Sequence, residues 1–125
     1  MESFEKYKEE KMAEMPELKT HPISENEEAL DHYILYLLLS DFKKMLEAEI
    51  EDEEDFHELG KDEKAFIDIL QSSLDKFSVF KDDIQRVLRL LEDEVLEYTD
   101  ILLAITSLTI LIYELHGILF NESDA

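Results

Sequence analysis

The sequence predicts an all-α protein, an elongated helical bundle of three to four helices with a long, mostly buried C-terminal helix. Three observations support this fold class. Only two glycines and two prolines occur in 125 residues, too few for the frequent turns of a β-sandwich or barrel. Hydrophobic residues make up 45% of the chain, enough for a core. They recur at helical spacing over long stretches. A chain of this length normally forms one domain.

The N-terminal segment is predicted to be a short amphipathic helix. Phe4, Tyr7, Met12 and Met15 have roughly helical spacing, and Pro16 ends the segment. We assign residues 1–22 to an arm and loop that pack on the body of the protein. Residues 23–125 are assigned to the helical bundle domain.

The second helix is predicted to begin at a capping box, Ser24-Glu25-Asn26-Glu27. Apolar residues then keep a helical period as far as Ile50. Beyond this point acids lie three and four positions apart, and like charges at that spacing weaken a helix. We therefore expect a bend, frayed turn or loop within residues 51–60, with Gly60 as the residue that ends the helix.

The third helix is predicted to begin with Asp62 as its N-cap and to bury residues between 65 and 77. The stretch that follows, residues 82–120, has no proline and only Gly117. A single helix of that length would extend ~58 Å, whereas the radius of gyration of such a domain is ~14 Å. Either this stretch breaks, or the protein is elongated, or the helix continues into an oligomer interface. The most favourable place for a break is 91–97, with the sequence LEDEVLE.

The last helix is apolar around most of its circumference, apart from a narrow polar seam that includes Asp100, Ser107 and Glu114. Such a helix is either central in the bundle or partly covered by another subunit. We therefore expect a homodimer, and almost complete burial, partly by the second copy, of Leu103, Ile105, Leu108, Ile112 and Leu115. The same stretch approaches the length of a membrane span. Glu114 and the absence of flanking Lys or Arg make a span the less favoured interpretation.

The charge balance limits the classes of partner. The formal net charge is −21, from 33 acids against 12 bases. Nucleic acids and anionic membranes repel such a surface, whereas basic proteins and cations are attracted. The chain lacks cysteine, which excludes disulfides and thiolate metal sites. The first residues also lack the apolar region of a signal peptide. We therefore expect a cytoplasmic protein.

The most acidic segment, EAEIEDEEDFHELGKDE at residues 47–63, contains ten acids among seventeen residues. It is either a solvated connection or a surface for a basic partner. The net charge far exceeds the magnitude of ~2–8 that suffices for solubility, which favours the second interpretation. We predict a non-enzymatic inhibitor or immunity-type protein that neutralises a toxin nuclease or nucleic-acid-binding protein, and no cofactor. The predicted binding residues are Glu47, Glu51, Asp52, Glu53, Glu54, Asp55 and Glu58, and all of them except Glu47 are explicitly expected to be exposed.

Two alternatives stay open. The first is a structural or adaptor bundle, whose acidity serves only solubility. The second is an enzyme. Glu97-Tyr98-Thr99-Asp100, followed by apolar residues, resembles the second metal motif of the MazG-like nucleoside triphosphate pyrophosphohydrolases. That resemblance implies an all-α Mg²⁺ site, for which carboxylate oxygens are suitable ligands. The first motif would be Glu27, Glu28 and Asp31, much farther from Glu97 than is usual in that family. A solvated helix face explains the same residues.

Overall fold

The structure is a computed structural model that describes residues 3–52 and 54–120. The prediction of an all-α fold is confirmed, because helices dominate this part of the chain. They are α1 (Phe4–Glu14), α2 (Glu17–Thr20), α3 (Glu27–Glu49), α4 (Lys61–Ser73), α5 (Lys81–Leu90) and α6 (Tyr98–Phe120). Two short strands, β1 (Phe56–Glu58) and β2 (Val95–Glu97), were not predicted. Single 3-10 turns cover Pro22–Glu25, Ile50–Asp52 and Ser78–Phe80.

The N-terminal helix α1 packs on the rest of the molecule. The Ser3 hydroxyl oxygen caps it by accepting from the Lys6 backbone N–H at 3.3 Å. Phe4 and Tyr7 are buried on one face of α1. The Phe4 ring meets the edge of Phe77 at a centroid distance of 5.1 Å. These contacts anchor α1 against α3 and α4.

The start of α3 differs from the predicted capping box. Asn26, not Ser24, is the N-cap, and its side-chain oxygen accepts from the Ala29 backbone N–H at 3.2 Å. The Ser24 hydroxyl instead donates to the carbonyl oxygens of Lys19 and His21. The physical reason is the 3-10 turn that begins at Pro22. It holds Ser24 within a turn of its own before α3 begins.

The interruption expected within residues 51–60 is confirmed, since α3 ends at Glu49 and α4 begins at Lys61. The predicted roles of Gly60 and Asp62 are wrong. Gly60 is the N-cap of α4 rather than the end of the previous helix, and its backbone is extended, with φ −78° and ψ 179°. Asp62 lies within the first turn of α4, where its charge complements the helix dipole.

Of the alternatives left open for residues 82–120, the structure has the break, and it falls at 91–97, the most favourable place. Helix α5 ends at Leu90, and β2 precedes α6. Strand β2 pairs antiparallel with β1, in the register Phe56 to Glu97, His57 to Leu96 and Glu58 to Val95. This ribbon joins the end of α3 to the start of α6. The two long helices therefore run antiparallel, with the ring of Tyr36 near those of His116 and Phe120.

The core is centred on α3, whose fully buried side chains include Ile34, Leu38 and Phe42. Helix α6 lies along α3 and α5 and buries only one face. Of the residues predicted to be buried, Leu108 and Leu115 are inaccessible, Ile105 and Ile112 are half-buried, and Leu103 is 53% exposed. Neighbouring helices of the single chain thus cover α6 from one side, and burial of its other side by a second copy stays a prediction.

Within the described residues, α6 is the one helix whose length and composition would allow it to cross a membrane. This is weak evidence, because the core helix of a soluble protein passes the same test. Here the inner face of α6 completes the hydrophobic core.

Candidate partner-binding surface

The β1–β2 ribbon positions the candidate surface. Side chains alternate across each strand, with His57 and Leu96 buried beneath the ribbon and their neighbours directed outward. The Tyr98 backbone N–H donates to the Asp55 carbonyl oxygen at 3.0 Å, beside the ladder. His57 Nε2 donates to the Glu54 carbonyl oxygen at 2.8 Å. These bonds fix the acidic segment against the start of α6.

The ribbon brings together two acidic segments that lie far apart in the chain. Five of the predicted binding residues are exposed, as expected: Glu51, Asp52, Glu54, Asp55 and Glu58. Glu47 is exposed as well. The seventh, Glu53, lies outside the described residues. Sequence reasoning did not include the exposed acids around β2, which are Glu92, Asp93, Glu94 and Glu97. We call these ten exposed carboxylates, six from the first segment and four from the second, the acidic end.

The acidic end is not neutralised internally. Among residues 3–52 and 54–120, no ion pair within 4.0 Å joins any of its ten carboxylates to a basic side chain. Exposed carboxylates need no such partner, because water solvates them. Their mutual repulsion is nevertheless unfavourable for the folded chain, and a basic ligand would relieve it.

Two exposed apolar side chains lie among the carboxylates of the acidic end. Phe56 is 63% exposed and Val95 57% exposed, on the outward face of the ribbon together with Glu58 and Glu97. Aromatic side chains such as Phe56 are enriched at protein–protein interfaces relative to the rest of the surface. The surface therefore combines long-range electrostatic attraction with a site for close apolar contact.

A groove of about 630 Å³ opens between α4 and α5 next to the acidic end. Its floor includes Ile67, Leu74 and Leu88, all half-buried. Glu92, Asp93 and Glu94 line it from the segment before β2, together with Asp68, Lys64 and Arg89. The groove extends the apolar contact area from the ribbon toward α4 and α5.

One group in this region has a shifted pKa. Burial raises the pKa of the Glu49 carboxyl, and the charge and hydrogen bond of Glu63 raise it further, while the nearby His57 acts in the opposite direction. Glu49 is the last residue of α3 and Glu63 lies in the first turn of α4. The interruption between these helices thus brings two carboxyls together at the edge of the acidic end.

The residues of the alternative metal site are not brought together. Glu27, Glu28 and Asp31 lie at the start of α3, whereas Glu97 and Asp100 lie at the start of the antiparallel α6. The part of α3 from Asp31 to its end therefore separates the two motifs, roughly 27 Å at ~1.5 Å per residue. The Asp100 carboxylate accepts from the Glu97 backbone N–H at 3.3 Å, a helix-start contact. No group of three or more potential metal ligands occurs among the described residues.

Asp31 has a different role in the structure. It is buried, with Lys8 Nζ 2.7 Å from Oδ1 and Lys76 Nζ 3.3 Å from Oδ2. Lys76 also pairs with Glu5. Oδ1 has no directed hydrogen bond, but the short distance to Lys8 means that its charge is compensated. Asp31 therefore ties α1 and the end of α4 to α3.

The sequence signals for this surface are uneven. The acids at 47–58 stand out by density, whereas those at 92–97 stand out only once their segment is known to pair with β1. Strands of three residues carry too little periodicity to be recognised from sequence. Comparison with known protein families, with curated proteins and with solved structures finds no match to this chain.

Proposed function

We propose that this protein is a non-enzymatic inhibitor or immunity-type protein that binds and neutralises a basic protein in the cytoplasm through the acidic end. The observation that carries the proposal is the ribbon that unites two acidic segments around exposed Phe56 and Val95. A toxin nuclease or a nucleic-acid-binding protein has the required chemistry, since its phosphate-binding surface is rich in Lys and Arg.

The electrostatic part of this function acts mainly on association. Complementary potentials steer two proteins together before they touch and raise the association rate constant. The apolar part acts after contact, because desolvated aromatic side chains mainly slow dissociation. The acidic end therefore predicts two separable kinetic effects, one for its carboxylates and one for Phe56.

The proposed function also assigns roles to the helices. We take α3, α4, α5 and α6 as the elongated bundle that carries the acidic end, and α1 with α2 as an arm packed on it. The alternative adaptor function makes a different kinetic prediction, because a bundle that is acidic only for solubility gains no association rate from the position of its charges.

The test begins by capturing basic proteins from a host lysate at low salt and releasing them at high salt. Stopped-flow measurements with the purified partner then compare the parent with a variant that removes four charges from the acidic end: Glu51→Gln, Asp52→Asn, Asp55→Asn and Glu58→Gln. We expect at least tenfold slower association at low salt, with the difference fading as the Debye length falls to ~8 Å near physiological ionic strength.

A matched control removes four exposed charges that lie outside the acidic end: Glu9→Gln, Glu10→Gln, Glu17→Gln and Glu25→Gln. Both variants have the same net charge, so only the position of the charges differs. Equal association rates for the two would contradict a localised surface and favour the adaptor alternative. Phe56→Ala should raise the dissociation rate while leaving association nearly unchanged.

A further inference from the structure

Helix α6 has two apolar faces, of which the core uses one. The inner face consists of five buried residues, Ile101, Ala104, Leu108, Leu111 and Leu115. The opposite face repeats with the same three- and four-residue spacing. Its residues are exposed or half-buried, and the ring of Phe120 at its end also contacts Tyr36 of α3. We call it the outer seam; its residues are Leu103, Thr106, Ile110, Tyr113, Gly117 and Phe120. Ile110 is 57% exposed and Tyr113 80% exposed.

An alternating three- and four-residue spacing is the pattern by which one helix packs against another in a coiled coil. Six consecutive seam positions keep it over nearly the whole length of α6. Large side chains occupy four of these positions. The outer seam is therefore suited to a straight helix of similar length rather than to a compact ligand.

The charge distribution identifies the occupant. Glu114 is the only Asp, Glu, Lys or Arg between positions 101 and 120, although the whole chain carries a net charge of −21. The outer seam is thus a nearly neutral strip on a strongly acidic protein. A basic partner is attracted to the acidic end instead, and anionic lipid is repelled by the rest of the surface. A second copy offers an equally neutral and equally long face.

We propose that a second copy of this chain covers the outer seam and that the two α6 helices pack antiparallel. This inference does not depend on the proposed function. The direction follows from charge, because α6 begins beside the acidic end. A parallel pair would place the two acidic ends side by side. An antiparallel pair separates them by the length of α6, ~34 Å at ~1.5 Å per residue.

The spacing of the outer seam also sets the register. Its six positions are symmetric about the point midway between Leu111 and Ile112. In an antiparallel pair, Leu103 therefore faces Phe120 of the second copy, Thr106 faces its Gly117, and Ile110 faces its Tyr113. Each contact occurs twice, as a twofold interface requires. The small Thr106 and Gly117 allow the backbones to approach between two layers of larger side chains.

The size of the seam indicates a modest affinity. A strip of ~34 Å by ~10–12 Å, one helix wide, has a footprint of roughly 350–400 Å² on each copy. This is below the ~800 Å² per partner of a standard stable interface. We therefore expect a dimer that dissociates on dilution. Salt should strengthen it by screening repulsion between the acidic protomers, the opposite of its effect on binding a basic partner.

Sedimentation equilibrium tests the dimer over a range of protein and salt concentrations. Ile110→Glu places a charge in the middle of the seam and should weaken association at least tenfold. Val79→Glu adds the same charge at another exposed apolar residue outside α6 and should leave association unchanged. Unfolding curves at low protein concentration check that both variants fold. Equal association of the two variants, or a monomer at high micromolar concentration in high salt, would overturn the proposal.

Cysteine cross-linking tests the direction, since the parent chain has no cysteine. In the antiparallel pair, position 106 lies next to position 117 of the second copy, whereas two copies of position 106 are about 16 Å apart along the axis. Disulfides require Cα atoms within ~7 Å. Thr106→Cys and Gly117→Cys should each fail to cross-link alone and should cross-link when mixed.

Two further outcomes would contradict the proposal. Cross-linking of each cysteine variant with itself would show a parallel pair. Flotation of the parent protein with neutral phosphatidylcholine vesicles, lost in Ile110→Glu and retained in Val79→Glu, would show that the outer seam contacts lipid rather than a second copy. Absence of flotation together with the mixed cross-link is the expected result.

Discussion

The carboxylates around α1 and those of the acidic end have different environments. Around α1, Asp31 is 6% exposed and lies between Lys8 and Lys76, and Asp41 contacts Lys11 at 3.2 Å. At the acidic end, none of the ten exposed carboxylates forms an ion pair with a described base. Three lysines, Lys8, Lys11 and Lys76, thus compensate the enclosed carboxylates, whereas the exposed carboxylates of the acidic end are left to the solvent.

The pKa shifts around α1 keep Lys11 and Lys76 charged and the Tyr7 hydroxyl protonated. Burial alone would lower the pKa of Lys11, but the hydrogen bond and charge of Asp41 outweigh it and raise that pKa. For Lys76, burial likewise opposes and Glu5 and Asp31 raise the pKa. Burial and Asp41 together raise the pKa of the Tyr7 hydroxyl. Tyr7 therefore stays a donor to Asp41, at 2.9 Å.

The largest effect on stability is expected from Asp31→Asn. The change leaves Lys8, whose side chain is mostly buried, without the carboxylate 2.7 Å away. Removing one member of a buried ion pair costs about 3–5 kcal/mol, and the partial exposure of Lys76 reduces the expected loss to about 2–4 kcal/mol. Urea unfolding of parent and variant measures this difference.

Asp55→Asn is the matched control for Asp31→Asn, since it makes the same change at the exposed acidic end. Its free energy of unfolding should stay within about 0.5 kcal/mol of the parent, with a slight gain from reduced repulsion. If both variants lost the same small amount of unfolding free energy, Lys8 and Lys76 would be reaching solvent in Asp31→Asn. The contrast between the two ends would then have no energetic basis.

The two ends also differ in how far sequence predicts them. The density of acids at 51–58 predicted exposure correctly, because unpaired carboxylates remain in water. The network around Asp31 could not be predicted, since its lysines come from α1 and from beyond α4 and meet only through tertiary packing. The same limit applies to the ribbon. Its pairing joins His57 to Leu96 across most of the second half of the chain, and local periodicity contains no information about that contact.

The next effect in size is expected from Tyr7→Phe. The ring stays in the core, and only the hydrogen bond from the hydroxyl to Asp41 is lost. Lys11 still compensates the charge of Asp41, so no buried charge is left unpaired. A loss of about 1 kcal/mol in urea unfolding is expected. Tyr113→Phe, at an exposed position on α6, should leave the free energy of unfolding unchanged. Equal losses for both variants would show that the bond to Asp41 contributes nothing specific.

The smallest effect is expected from Glu49→Gln, and it should depend on pH. Because the folded-state pKa of Glu49 is raised above the ordinary value of 4.5, this group binds its proton more readily in the folded than in the unfolded chain. Its contribution to stability is therefore complete below about pH 4.5 and is lost as pH rises through the folded-state pKa. Above that window, charged Glu49 faces charged Glu63. A neutral glutamine removes this repulsion, so the variant should gain stability relative to the parent as pH rises.

Urea unfolding of parent and Glu49→Gln from about pH 4 to about pH 7 measures this trend. Glu47→Gln removes one charge from an exposed position two residues earlier on α3 and reports the effect of net charge alone. Glu63→Gln should reproduce part of the gain, because either substitution separates the two charges. A constant difference between Glu49→Gln and the parent over the whole range would mean that Glu49 titrates alike in both states. In that case the proximity of Glu49 and Glu63 would add no repulsion. The repulsion at the acidic end would arise from its exposed carboxylates alone.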